Sequence, residues 1–253
     1  MHIIHLDRVG STQDEAHRLA EAEEPDGTAV VSREQTAGRG RRGRRWESPP
    51  GGLWLSVLRR PTEAAPPLVL SLSAGLAVAD ALESVGIQHV HVKWPNDLMV
   101  DDAKIGGILC EVRWHGDRPA WAVIGVGINV ENSLPSAVHG VATSVAEHTP
   151  AKIALGDLAA SVIGAIRSVP LDHPTLEDAA FSELARRDWL RGATLLEPVR
   201  GGTCTGIDPT GALMIRDPAG TVLPLRSGPV VVDATIARTA PRHVRLTSEP
   251  EPS

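Results

Sequence analysis

The spacing of apolar positions along the chain switches between a period of two and one near 3.6, the marks of strand and helix. His2–Arg8 reads as a first strand that stops at Val9-Gly10. Ser11 and Thr12 follow where an N-cap belongs, with Asp14 and Glu15 three residues on, so a capping box opens a helix to about Ala22. Thr28–Arg33 is a strand leading to Gln35, and Leu53–Arg59 alternates as a half-buried strand does. Leu68–Val85 carries apolar residues at helical spacing, and Gly86 ends it as a C′ glycine. His89–Trp94 is a strand stopped by Pro95, with Asn96-Asp97 as a turn and Leu98–Val100 beyond it. Lys104-Ile105-Gly106-Gly107 then precedes an apolar strand Ile108–Trp114, and Trp121–Val130 is another. After a polar loop at Glu131–Pro150, Ala151–Ser168 and Thr175–Trp189 read as helices. The pattern holds no βαβ repeat and no Rossmann fingerprint. It predicts an α+β fold in two layers, a mostly antiparallel sheet with flanking helices.

Past Gly192 the character changes. Short alternating runs are separated by turns, among them Asp208-Pro209-Thr210-Gly211 and Asp217-Pro218-Ala219-Gly220, nine residues apart. That rhythm suits a small β-barrel leaning on the larger unit. The expected organisation is a domain over 1–190, a small barrel over 191–236 and a disordered, Pro- and charge-rich tail over 237–253.

Composition narrows the partners. The 253 residues are 42% apolar and 22% charged, ordinary for a globular chain, with a formal net charge of −6. A charge of that sign argues against a polyanion-binding surface. Cys110 and Cys204 have neither metal-ligand nor C-x-x-C spacing. The N-terminus lacks the apolar core of a signal peptide, and no run approaches the ~18 apolar residues that would cross a bilayer. The chain is expected to be soluble and cytoplasmic.

Against this acidic background stands Gly38–Trp46, GRGRRGRRW, with Arg39, Arg41, Arg42, Arg44 and Arg45 broken only by Gly40 and Gly43. Like charges this dense repel one another and should leave the loop mobile while empty. Guanidinium forks bind phosphate bidentately, and glycines let the backbone approach, so a small anion would order it.

Taken with Ser11-Thr12-Gln13, Lys93-Trp94-Pro95-Asn96-Asp97, Lys104 in K-x-x-G-I-L, and Gly125-Val126-Gly127-Ile128-Asn129, this loop resembles the biotin protein ligases. The likeness spans roughly 2–233. It implies a catalytic fold like that of the class II aminoacyl-tRNA synthetases and an SH3-like C-terminal barrel. It also implies an ATP-dependent activity that makes biotinyl-5′-AMP and passes biotin to a lysine of a carboxyl carrier domain of acyl-CoA carboxylase. With no residues ahead of the catalytic region for a helix-turn-helix, the expectation is an enzyme that binds neither DNA nor membrane.

Biotin's carboxylate and ATP are both anionic, so their joining calls for fixed cations at the reacting phosphoryl group. By resemblance Arg39, Arg41, Arg42, Arg44 and Lys93 serve the phosphates, with Mg²⁺ on them and no metal held by protein side chains alone. Lys104 would touch the biotin carboxylate and then the bridging phosphate. Asp97 is the nearby carboxylate that could take the carrier lysine's proton, or could position groups or bridge to the metal. Ser11, Thr12, Gln13 and Gln35, with backbone from Arg39, Gly40 and Arg41 and with Gly107, are implied for biotin. Trp46, Asn96 and Asn129 are implied for the adenylate, Asn129 being weighed against simple bulge geometry. This chain has Gln13 where the family often has asparagine, which sets that contact apart. A lipoate- or octanoate-handling relative, a nucleic-acid module using the arginine run, and a non-catalytic carrier-binding protein are the rival readings.

Overall fold

A computed structural model describes residues 2–63, 66–138 and 140–233. The expected tail at 237–253 lies outside them. A seven-stranded sheet forms the centre, in the order β1 (Ile3–Val9), β2 (Ala29–Gln35), β3 (Leu53–Arg59), β7 (Arg118–Ile128), β6 (Ala103–His115), β5 (Asp97–Val100), β4 (His91–Lys93). All neighbours are antiparallel except β1 and β2, which run parallel with helix α1 (Thr12–Glu21) between them. That is a βαβ unit, which the strand pattern did not predict; Gly10 and Pro25-Asp26-Gly27 mark turns without fixing strand direction.

β3 was expected to be half-buried, yet all seven of its residues are buried. It lies mid-sheet with a layer on each side. Leu53, Leu55 and Val57 face α2 (Pro67–Ser84) and α3 (Leu155–Arg167) in the main core. Leu58 faces the other way, with Val30 and Val123, onto Ala16, Leu19 and Ala20 of α1. A strand covered on both faces needs no polar alternation. Helix α2 is apolar and long enough to cross a membrane by length and composition, against the sequence expectation, but 61% of it is buried within the protein. It is the central core helix.

Helix α4 (Asp178–Arg187) joins the core through Arg187, whose guanidinium bonds Asp80 and Glu83 of α2, Glu183, and the carbonyl of Val90. Beyond it lie a three-stranded sheet, β9 (Thr203–Ile207), β10 (Leu213–Arg216) and β11 (Val222–Leu225), and a pair, β8 (Leu195–Glu197) with β12 (Val231–Val232). Both Asp-Pro-x-Gly segments are hairpin turns: Asp208 bonds Ala212 and Asp217 bonds Thr221 through their backbones, and Gly211 and Gly220 have positive φ. Among the described residues the two sheets are small and open and do not close a barrel. They dock firmly nonetheless, with Trp94 Nε1–H donating to the carbonyl of Gly211 at 2.9 Å.

Candidate active site

Strand register fixes the floor of the site. On the face that carries α1, Gly107, Gly127 and Trp54 stand opposite one another across β6, β7 and β3. One row along stand Leu109, Gly125 and Ser56, and next Glu111, Val123 and Leu58. Period two puts both glycines of Gly125-Val126-Gly127 on this face. A Cβ at Gly125 would lie 2.5 Å from Gln13 Oε1, and one at Gly127 would lie 2.7 Å from Trp46 Nε1. The glycines are there because side chains from other elements lie flat on the sheet.

The wall is the start of α1. Ser11 alone caps the helix, its Oγ accepting from the Gln13 N–H at 3.3 Å. Thr12 was also expected at the cap, but it lies inside the first turn. Its backbone N–H and hydroxyl both donate to Gln35 Oε1, at 2.8 and 3.0 Å, and its Oγ1 stands 2.9 Å from Ser56 Oγ. Asp14 does not complete a capping box; it pairs with Arg39 at 3.1 Å. Gln13 is buried, and its amide serves the frame. Nε2 donates to the carbonyl of Val123 at 3.2 Å and to Glu111 Oε2 at 3.0 Å, while Oε1 accepts from Ser56.

The lid is the arginine loop, folded as a hairpin. Its base is the Gln35–Ser48 bridge, followed by Arg39–Arg45 and by the N–H of Gly40 donating to the carbonyl of Arg44 at 2.7 Å. At the tip Arg42 and Gly43 both have positive φ. Arg39 turns back to the protein, 2.8 Å from Glu111 Oε2. Arg41 points inward, 3.4 Å from Asn96 Oδ1, and burial together with neighbouring Arg42 lowers its pKa. Trp46 packs edge-on to Trp54 with ring centroids 6.4 Å apart.

Facing the loop is the Lys93–Asp97 turn. Lys104 was expected ahead of a strand but lies within β6. A bulge shifts the β5–β6 register between Leu98 and Met99, so that Lys104 stands opposite Met99, and its backbone also bonds Val141 and Thr143. The irregularity re-aims its side chain. Its Nζ stands 2.5 Å from Asp97 Oδ1 and 4.9 Å from the centre of a Trp46 ring. Lys93 Nζ lies 4.6 Å from a Trp189 ring centre. Asn129 is buried and its amide is engaged, donating to the carbonyl of Thr143 at 3.1 Å and accepting from Asn132.

These parts enclose one cavity of about 630 Å³. Every residue singled out from the sequence lines it: Ser11, Thr12, Gln13, Gln35, Arg39, Gly40, Arg41, Arg42, Arg44, Trp46, Lys93, Asn96, Asp97, Lys104, Gly107 and Asn129. Sequence reasoning missed Ser56, which lines the cavity, and Glu111 and His17, which do not line it; behind its wall Glu111 bonds both Gln13 and His17. Ser56, a lone hydroxyl in an apolar strand, and Glu111, a carboxylate in phase with Gly107, were the available signals. Leu134–Pro135 and Gly228–Val231 also reach the cavity, the latter from the C-terminal unit. The carboxylates on its lining are Asp97 and Glu47, and no cluster of three or more metal-ligating side chains occurs among the described residues.

The profile of the biotin/lipoate A/B protein ligase family matches residues 6–129, which include α1, the arginine loop, Lys104 and Asn129. A biotin–acetyl-CoA-carboxylase ligase of Paracoccus denitrificans is 35% identical over 235 residues, covering 85% of this chain and 94% of that protein. The chain belongs to the biotin protein ligases. Within that family, the bifunctional ligase/repressor BirA of Bacillus subtilis (strain 168) is 42% identical over 159 residues, 60% of this chain and 48% of that one. The match thus spans about half the length of such bifunctional ligases. The biotin protein ligase from Aquifex aeolicus, solved in complex with biotin and ATP, has a TM-score of 0.77 at 29% identity, covering 92% of this chain and 98% of that one.

Proposed function

We propose that this biotin protein ligase joins the biotin carboxylate to the α-phosphate of ATP, forming biotinyl-5′-AMP and releasing pyrophosphate. The adenylate's acyl carbon is then attacked by a lysine amine of a biotin carboxyl carrier domain, and AMP leaves. The observation that carries the reading is the meeting of Lys104, Asp97 and the arginine loop over a glycine-floored slot within hydrogen-bond reach of Thr12 and Gln35. We assign an apolar tail to the slot beside Gly107, bounded by Gln13 over Gly125 and Trp46 over Gly127, and a polar ureido head to Ser11, Thr12 and Gln35. A ligand lacking that head would forgo hydrogen bonds to these groups, which is the basis of discrimination.

Lys104 and Arg41 are the cations we assign to the reacting phosphoryl group, with Arg42, Arg44 and Lys93 around the remaining phosphates. Gln13 and Asn129, whose amides are engaged within the protein, we assign to shaping the slot rather than to gripping ligand. Arg39, which faces Glu111 and Asp14, we likewise assign to the loop itself. The donor set fits a magnesium ion carried mainly by ATP's phosphates, for which the lining carboxylate Asp97 would be the protein ligand; bound there, the ion would neutralise phosphate charge. Residues 1–190 form the catalytic unit in this reading, with 191–236 as an SH3-like module, a role its hairpins and docking through Trp94 support. Burial of α2 in the core supports a soluble protein, and we assign it to the cytoplasm.

The test is transfer. A carrier domain incubated with ATP, Mg²⁺ and biotin should become biotinylated, and lipoate should not substitute. Lipoylation without biotinylation would move the chain to the lipoate-handling side of its family, and neither product would overturn the proposal.

A further inference from the structure

Five guanidinium groups in one hairpin repel each other, so something must hold the loop against the body. Side-chain contacts that do so include Trp46 on Trp54, Arg41 on Asn96, and Arg39 on Glu111. The last brings an anion to the loop. Glu111 Oε2 is the convergence point of three donors on two elements: Arg39 Nη2 at 2.8 Å from the loop, and Gln13 Nε2 at 3.0 Å and His17 Nε2 at 3.1 Å from α1. The His17 proton is directed there, because Trp121 Nε1–H donates to the ring's Nδ1 at 2.9 Å and leaves Nε2 as the protonated nitrogen. His17 is buried and Glu111 half-buried, so the carboxylate is held from behind and presents itself to the loop. Asp14 lies 3.1 Å from the same Arg39 nitrogen but is largely exposed, a weaker hold.

We propose that Glu111 is a positioning residue that latches the arginine loop shut by holding Arg39, and so sets how long the adenylate stays in the site. This rests on the function proposed above. Glu111 does not face the reacting groups; it acts through Arg39, and through Gln13 it ties the closed loop to the wall of the slot. Closure then depends chiefly on Glu111, with the weaker Asp14 contact, as well as on the ligand's phosphates.

The test separates the latch from the reaction by reading the loop directly. Hydrogen exchange of the 38–46 peptide is followed without ligand and with saturating biotin, in wild type, Glu111→Gln, Arg39→Gln and the double variant. Glutamine keeps the size of Glu111, and Arg39 lies in a surface hairpin, so both variants are expected to fold, which a thermal melt checks. The latch predicts faster exchange, roughly fivefold, in each single variant in at least one condition, and no further gain in the double. It also predicts that preformed biotinyl-5′-AMP leaves both variants faster by a similar factor. Unchanged exchange in both conditions, or effects that multiply in the double, would overturn the latch whether or not the chain makes adenylate.

Discussion

Lys104 Nζ lies 2.5 Å from Asp97 Oδ1, so the cation and the carboxylate at the heart of the site are each other's partner. Both are about a quarter exposed at the side chain, enough for a ligand to compete. In the reaction proposed above, an incoming carboxylate or phosphate would draw Lys104 away and leave Asp97 open to accept a proton. One pair would then serve the two half-reactions in turn, first supplying a cation and then a base.

Asp97→Asn should therefore separate the half-reactions. Pyrophosphate exchange should persist within about an order of magnitude, whereas transfer to the carrier lysine should fall by ~100-fold or more, the usual loss for a general base. Single-turnover transfer from preformed adenylate measures this. Equal losses in both steps would mean that Asp97 only positions Lys104.

Gly127 is predicted to tolerate no side chain. An alanine Cβ would meet Trp46 Nε1 at 2.7 Å and Cε2 at 2.9 Å. Relief requires moving the ring, which anchors the lid, at a cost of ~1–3 kcal/mol. Gly127→Ala should weaken biotin binding about tenfold or more by titration calorimetry. Unaltered affinity would show that Trp46 is not held against the floor.

Asp188 governs part of the pH dependence of stability. It follows α4, and its Oδ2 is buried without a hydrogen-bond partner while Oδ1 accepts from the Leu190 N–H at 3.0 Å. Burial raises its pKa from 3.8 to about 6. Between those values the folded state keeps a proton that the unfolded chain has lost, so stability falls as pH rises through that window and stays lower above it. Asp188→Asn should flatten this part of a melting-temperature profile. A profile equally steep in the variant would assign the slope elsewhere.

Much of the site was legible because its chemistry sits at breaks in the hydrophobic pattern. Arg39–Arg45 interrupts the run between two strands, Pro95 stops β4 beside Asn96 and Asp97, and paired glycines interrupt β7. What stayed hidden depends on contacts distant in sequence. The parallel pairing of β1 with β2 and the double burial of β3 are set by which helices land on which face. The bulge beside Lys104 in the β5–β6 pairing, and the backbone bonds from Lys104 to Val141 and Thr143, join residues that the local pattern does not link. Glu111 looks like one polar residue in an apolar strand until Arg39, Gln13 and His17 converge on it. The C-terminal runs were legible as hairpins, but closure into a barrel is a property of the whole ring of strands, and turns alone do not determine it.

The most direct test of the central claim is biotin-dependent exchange of labelled pyrophosphate into ATP, in wild type and in Lys104→Ala. The account predicts exchange that needs biotin, is not supported by lipoate, and drops by ~100-fold or more when the Lys104 ammonium is removed from the reacting phosphoryl group. Exchange with neither acid, or undiminished exchange in the variant, would contradict it.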